Sequence, residues 1–149
     1  MFSSENDLEM QLPSILSITG CFFVILTYYL FTDLRKFRHI ELVFYVALND
    51  LFGSIGLFLG ETKNGTFSCW YQGFSSNINF LSGAMWTVVI AYQLNIIVNG
   101  GSRIEDLTPY HICCWGFPVL VATLVLTTNT YGLDDDGVGW CFVARRKVQ

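Results

Sequence analysis

The segment LPSILSITGCFFVILTYYLF, from Leu12 to Phe31, contains no charged residue. As a helix it rises about 30 Å, which is the thickness of the hydrocarbon core of a bilayer. Helices buried in soluble proteins are usually shorter, and they are apolar along one face only. The segment therefore predicts a membrane-spanning helix.

Three more apolar runs follow at short intervals, so the sequence predicts spans near 12–32, 41–60, 70–98 and 110–128. Charged residues make up only 13% of the 149 residues, against roughly 25% in soluble domains. The polar segments between the runs are too short to form a soluble domain of their own. We therefore expect an all-α fold, a transmembrane helical bundle that forms a single domain over residues 1–149 within the lipid bilayer.

The composition argues against several classes of function. The net charge of −4 does not suit a nucleic-acid partner, which needs a basic surface. The two histidines, His39 and His111, lie at predicted helix ends, where no nucleophile, base and acid come together, so we expect no enzyme. The cysteines form no CxxC pair, and Cys113 beside Cys114 has poor geometry for a metal. Neither a metal nor a cofactor is expected.

The distribution of Lys and Arg predicts the orientation of the chain. Basic residues are concentrated in the first loop, at Arg35, Lys36 and Arg38. The second loop contains only Lys63 and the third only Arg103, and basic loops stay on the cytoplasmic side. We expect the amino terminus outside, in a multi-pass protein of the plasma membrane. The basic residues at 145–147 point the other way, but the first helix usually dominates.

Two features of the predicted outer side agree with this orientation. Asn64-Gly65-Thr66 is a sequon, and outside the cell Asn64 is a candidate site of N-glycosylation. Cys69 and Cys141 also lie outside, in an oxidising compartment where disulfides persist. The other cysteines lie within or near spans, where thiols stay free.

Several short motifs of the last two spans and the segment after them occur in a fixed order. They are Cys69, Trp86-Thr87, Cys114-Trp115-Gly116, Pro118 and Trp140-Cys141. Together with FYVALNDLFGSIG in the second span, these motifs resemble the seven-helix G-protein-coupled receptors of the slime-mould cyclic-AMP-receptor type, the class E-like group. The resemblance covers about residues 12–142 and implies the first four helices of a seven-helix receptor fold.

The resemblance implies that the full-length parent receives a signal at the cell surface, from an unknown extracellular ligand, and passes it to a heterotrimeric G protein. It also implies three further helices, whereas this sequence ends at Gln149. We therefore expect an amino-terminal fragment that does not signal by itself. Cyclic AMP is not carried over as the ligand, because an anion needs basic partners and the spans contain none in their outer halves.

The resemblance also gives roles to single residues, each beside a plainer alternative. It implies a disulfide between Cys69 and Cys141 that ties the second outer loop to the third helix; the alternative is two unrelated thiols. Asn49 and Asp50 lie inside the second span, where a charge costs at least about 2.5 kcal/mol. Asp50 must therefore face the bundle, either as part of a polar switch or ion site, or in a structural helix–helix hydrogen bond.

The third span carries Asn77, Asn79 and Trp86, which a receptor of this kind would direct towards its ligand. The alternative is that the two amides hold neighbouring helices together and that the indole packs between them. A second class of function also stays open, namely a four-span scaffold such as a tetraspanin, or a transporter subunit. Tetraspanins carry Cys-Cys-Gly in a large outer loop, whereas Cys113-Cys114-Trp115 begins a span here.

Overall fold

Four long helices account for most of the chain in a computed structural model, which describes residues 3–60, 62–102, 104–128, 130–133 and 140–143. The helices are α1 (Ser3–Leu30), α2 (Arg38–Phe58), α3 (Phe67–Val98) and α4 (Thr108–Thr127). Each contains a stretch that is long and apolar enough to cross a membrane. The predicted fold class, an all-α transmembrane bundle, is confirmed.

The first loop is short because a single 3₁₀ turn, Thr32–Lys36, joins α1 to α2. Arg35 folds back from this turn onto the end of α1, where it donates from Nε to the carbonyl of Tyr28 (3.1 Å) and from Nη2 to that of Tyr29 (2.7 Å). The last carbonyls of a helix lack partners within the helix. Arg35 therefore caps α1 and fixes the start of α2 beside it.

Helix α3 is the longest element, with 32 residues. At about 1.5 Å per residue it rises roughly 48 Å, which is more than the hydrocarbon core spans. The helix is therefore tilted in the membrane or extends past the apolar layer. Thr66 caps its first turn: its hydroxyl accepts a hydrogen bond from the backbone N–H of Cys69 at 3.3 Å, and Gly65 before it has φ +77°.

Helix α4 contains a wide turn of π-helix over Ile112–Gly116, directly before Pro118. In a regular helix the ring of Pro118 would clash with the carbonyl of Cys114, and it offers no N–H for that carbonyl. The wide turn accommodates the proline without ending the helix. Pro118 itself is buried.

A small hairpin follows α4 and lies on the amino-terminal end of α3. Its strands, β1 (Tyr131–Leu133) and β2 (Cys141–Val143), pair antiparallel with Leu133 opposite Cys141. The sequence analysis did not predict this hairpin. Three-residue strands give too few positions for an alternating pattern to be recognised.

A disulfide joins Cys69 in the first turn of α3 to Cys141 in β2, with Cα atoms 5.2 Å apart. The predicted pairing is thus confirmed, and both cysteines are completely buried. Of the free cysteines, Cys21 and Cys114 are buried and Cys113 is exposed.

The disulfide makes a testable contribution to stability. Cys141→Ser should lower the free energy of unfolding in detergent by about 2–5 kcal/mol, because the bond closes a long loop in the unfolded chain. Cys113→Ser, which alters an exposed free thiol, is the matched control and should leave it unchanged. The measurement is a denaturant titration followed by tryptophan fluorescence. Equal midpoints for the parent and Cys141→Ser would contradict the assignment.

Candidate functional site

The buried side of α3 is polar along most of its length. Its buried polar residues are Gln72, Ser75, Asn77, Ser82 and Gln93. We call this set the polar seam. Large apolar side chains such as Phe80 and Val88 point outwards and are exposed. Membrane helices associate through small and polar residues, since lipid already accommodates apolar surface. The seam is therefore where α3 meets its neighbours.

Gln72 is the outermost part of the seam and binds three separate segments. Its Nε2 donates to the carbonyls of Gly56 (3.3 Å) and Gly60 (3.1 Å) at the end of α2. Its Oε1 accepts from the backbone N–H of Cys141 (2.7 Å) and the hydroxyl of Thr62 (3.3 Å). Both hydrogens and the oxygen of the amide are thus engaged, and Gln72 is fully buried.

The sequence analysis did not single out Gln72. The available signal was its position, one helical turn after Cys69, at a depth where an amide needs partners.

Tyr131 of the hairpin packs between α3 and α4. Its phenol donates to the carbonyl of Ala122 (3.0 Å) and accepts from the amide of Asn77 (3.4 Å). The ring lies against Gly73, where a Cβ atom would come within 2.5 Å of the Tyr131 Cδ1. Burial raises the pKa of the Tyr131 phenol, and the hydrogen bond with Asn77 opposes that rise.

Asn49 and Asn79 join α2 to α3 near the middle of the bundle. The side-chain amide of Asn49 donates to the backbone carbonyl of Asn79, and the side-chain amide of Asn79 donates to the backbone carbonyl of Asn49. Both distances are 3.1 Å. Gly53 makes room for this pair, since a Cβ there would overlap the side chain of Asn79. We call these two reciprocal bonds the asparagine pair.

Asp50 follows Asn49 and lines an open cleft of about 390 Å³ between α1, α2, α3 and the hairpin. Serines and an amide supply most of the polar lining: Ser17, Ser54, Ser76 and Asn79. The hydroxyl of Ser54 donates to that of Ser17 at 2.8 Å, across α1 and α2. The rest of the lining is apolar and comes from Gly53, Leu57, Phe80, Trp140 and Phe142. The carboxylate thus lies beside a few polar groups in a largely apolar cleft between helices.

Trp86 is completely buried in the carboxyl-terminal half of α3. Its ring stacks on Tyr45 of α2, with centroids 5.2 Å apart, and meets His111 of α4 edge-on at 5.1 Å. Trp115 packs against it from the wide turn of α4 at 6.2 Å. Cys114 belongs to the same apolar cluster. Aromatic contacts therefore hold three helices together here.

The loop between α3 and α4 is fixed to the start of α2 and to the last turns of α3. Gln93 accepts from the backbone N–H of Ile104 at 2.8 Å. Arg38 donates to the carbonyl of Glu105 at 2.8 Å and pairs with Glu41 at 2.6 Å. Hydrogen bonds from the side chain and backbone of Thr108 hold the pKa of Asp106 below its usual range.

Asn77 bonds to Tyr131, Asn79 bonds to Asn49 and also lines the cleft, and Trp86 packs among aromatic rings. A ligand-facing role for these three residues stays a prediction, as does a switch at Asn49 and Asp50.

The remaining predicted residues lie on the surface or in the wide turn. Thr87 is exposed and its hydroxyl bonds to the carbonyl of Gly83. Gly116 is an exposed residue of the wide turn. Asn64 is exposed, and its Oδ1 accepts from the backbone N–H of Leu133 at 2.6 Å. Within the described ranges, no three His, Cys, Asp or Glu side chains come together to hold a metal ion.

Four helices that are long and apolar enough to cross a membrane define a multi-pass membrane protein. The chain belongs to the slime mold cyclic AMP receptor family, whose model matches residues 3–149. The resemblance drawn from the motifs is thereby confirmed, and it favours a receptor over a four-span scaffold. No solved structure matches the chain significantly.

Similar proteins occur in plants, amoebae and animals. G-protein coupled receptor 1 of Arabidopsis thaliana is 34% identical over 132 residues, which are 87% of this chain and 39% of that protein. Cyclic AMP receptor-like protein A of Dictyostelium discoideum is 28% identical over 96% of this chain and 39% of its own length. G-protein coupled receptor 157 of Homo sapiens is 31% identical over 86% of this chain and 41% of its own length. The chain thus spans about two fifths of these relatives.

The contact between Gly53 and the asparagine pair can be tested by a double-mutant cycle. Asn79→Ala should lower the free energy of unfolding by about 0.5–1.5 kcal/mol, because interhelical hydrogen bonds in membranes are individually weak. Gly53→Ala should lower it by about 1–3 kcal/mol through overlap with the Asn79 side chain. The double variant should lose less stability than the sum of the two single losses, since Asn79→Ala removes the overlap.

Stability in this cycle is measured by denaturant titration in detergent micelles. Gly20→Ala is the control, because a Cβ at this helical glycine meets nothing within 4 Å. Strictly additive losses would mean that Gly53 and Asn79 do not touch.

Proposed function

We propose that the whole protein is a cell-surface receptor that couples an extracellular ligand to a heterotrimeric G protein. The observation that carries this proposal is the family match over residues 3–149, supported by relatives that are named receptors. The two ends of the bundle suit such a role. The outer end holds a covalently fixed hairpin beside an open cleft that contains a carboxylate, and the inner end holds a loop bound by Arg38 and Gln93.

The cleft limits the chemistry of a ligand that enters it. Its lining contains one carboxylate, Asp50, with hydroxyls, an amide and aromatic rings, and it contains no Lys or Arg among the described residues. An anion such as a cyclic nucleotide needs basic partners. The ligand is therefore left unnamed.

Asn49 and Asp50 form the proposed polar switch. Intramembrane carboxylates mark functional sites by default, because insertion of a charge is costly. Asp50 adjoins the asparagine pair, so a change in its protonation or in a bound cation would act directly on the bonds between α2 and α3. Receptor activation needs a bundle with two alternative packings. The asparagine pair consists of two weak bonds between helices, so it can break and re-form when the packing changes.

The four helices described here form only part of such a bundle, and we propose that they do not signal by themselves. In the test, this 149-residue chain and a version completed to seven spans are expressed side by side, and guanine-nucleotide exchange is measured on a panel of G proteins. The short chain should leave exchange at the receptor-free rate. Its four helices form only one wall of the groove that a G protein binds, so they cannot alternate between two states of that groove. The completed version should accelerate exchange when stimulated.

Exchange driven by the short chain alone would refute the claim that it is silent. Absence of exchange from the completed version under every stimulus tried would count against G-protein coupling. Cell-surface biotinylation of both versions is the control, since it separates a silent receptor from one that never reached the plasma membrane.

We also propose that the amino terminus is outside and that Asn64 carries an N-linked glycan. Support comes from the basic first loop and from the exposure of Asn64. Thr66 serves twice in this proposal, as the third residue of the sequon and as the cap of α3. Its two roles can be separated by substitution.

Expression in a glycosylating cell, followed by endoglycosidase digestion and gel mobility, tests the orientation. Asn64→Gln and Thr66→Ala should both abolish the mobility shift, whereas Thr66→Ser should retain it. Thr66→Ala should also cost about 1 kcal/mol of stability through loss of the cap, and Asn64→Gln should keep that cap. If the parent chain shows no mobility shift and its first loop is cleaved by protease added outside the cell, the orientation is the reverse of the proposed one.

A further inference from the structure

A basic depression of about 230 Å³ lies at the inner ends of α1 and α2. It is lined by Arg35, Lys36, Arg38 and Glu41. Three cations thus face one carboxylate, and Glu41 is already engaged by Arg38 at 2.6 Å and by the hydroxyl of Tyr45 at 3.2 Å. The depression therefore presents a net positive surface.

The two arginines are held in place before any ligand arrives. Arg35 donates to the carbonyls of Tyr28 and Tyr29, and its guanidinium lies 5.6 Å and 5.5 Å from the centres of their rings. Arg38 is tied to the carbonyl of Glu105. A guanidinium has five N–H donors, so each keeps donors for a further acceptor. Binding then costs little side-chain entropy.

Lys36 is the more adaptable cation. It pairs with Asp33 at 2.6 Å, but both side chains are largely exposed, at 73% and 85%. Exposed pairs of this kind contribute little and exchange partners readily. A stronger anion in the depression can therefore recruit the Lys36 ammonium without a large loss.

The position of the depression along the helices identifies the anion. It begins where the apolar part of α1, Gln11–Leu30, ends and where α2 starts at Arg38. Tyr29, in the last turn of α1, is 58% exposed, and its ring lies beside the guanidinium of Arg35. Tyrosine rings at such a boundary lie at the level of the headgroups, so the neighbouring cations lie at the depth of lipid phosphates.

We propose that the basic depression binds the phosphate headgroup of an anionic phospholipid, in the leaflet that the first loop faces. Arg35 and Arg38 offer planar forks that match phosphate oxygens, and Lys36 adds a point charge. Glu41 stays paired with Arg38 and lies at the edge of the site. The binding does not depend on signalling, so failure of the exchange assay leaves it intact.

The test uses the purified chain in detergent micelles and native mass spectrometry, which counts bound lipids. Phosphatidylinositol bisphosphate should bind more tightly than phosphatidylcholine, and the preference should fall with salt. Lys36→Gln should weaken binding about fivefold, as expected for one cation at an anionic surface. Lys63→Gln is the matched control, because it removes one exposed lysine at the opposite end of the bundle, and it should change nothing.

Three outcomes would overturn the proposal. The first is equal affinity for phosphatidylcholine, and the second is equal weakening by Lys36→Gln and Lys63→Gln, which would mean a diffuse charge effect. The third is equally tight binding of free inositol trisphosphate, which would assign the site to a soluble phosphate rather than to a lipid. Arg35→Lys keeps the charge but removes the fork, and its intermediate affinity would support the geometry.

Discussion

The disulfide between Cys69 and Cys141 fixes a hairpin that has little stability of its own. Two strands of three residues each form a marginal unit in isolation. Once β2 is bound to the first turn of α3, the N–H of Cys141 meets Gln72 and the ring of Tyr131 fills the space over Gly73. The contacts of the hairpin with α3 and α4 thus depend on one covalent bond.

The remainder of the bundle follows from a different constraint, the apolar solvent around it. Apolar side chains gain little by burial against each other in lipid, so the helices meet through amides, hydroxyls and glycines. The asparagine pair and the bond between Ser54 and Ser17 are examples. Each is weak, and a bundle held by many weak polar contacts can change its packing without unfolding. This property suits a receptor better than a rigid scaffold.

The sequence predicted the elements whose signal is long and continuous. The uncharged run from Leu12 to Phe31 leaves no alternative to a span, and the ordered motifs identified both the family and the disulfide. The sequence did not predict contacts that depend on three-dimensional proximity. Gln72 looks like any polar residue at a helix end until Gly60 and Cys141 are placed beside it. The hairpin is similarly set by its neighbours, Cys69 and Gln72, rather than by local propensity.

The spacing of the two bonded cysteines sets an order of assembly. Cys141 lies 72 residues after Cys69, so the ribosome completes α4 before the bond can form. Until then Gln72 lacks its contact with Cys141, while the asparagine pair needs only α2 and α3. The nascent chain can therefore join its second and third helices before the hairpin is bound. The disulfide forms only after the fourth helix has been synthesised, so its presence shows that the chain has passed this stage.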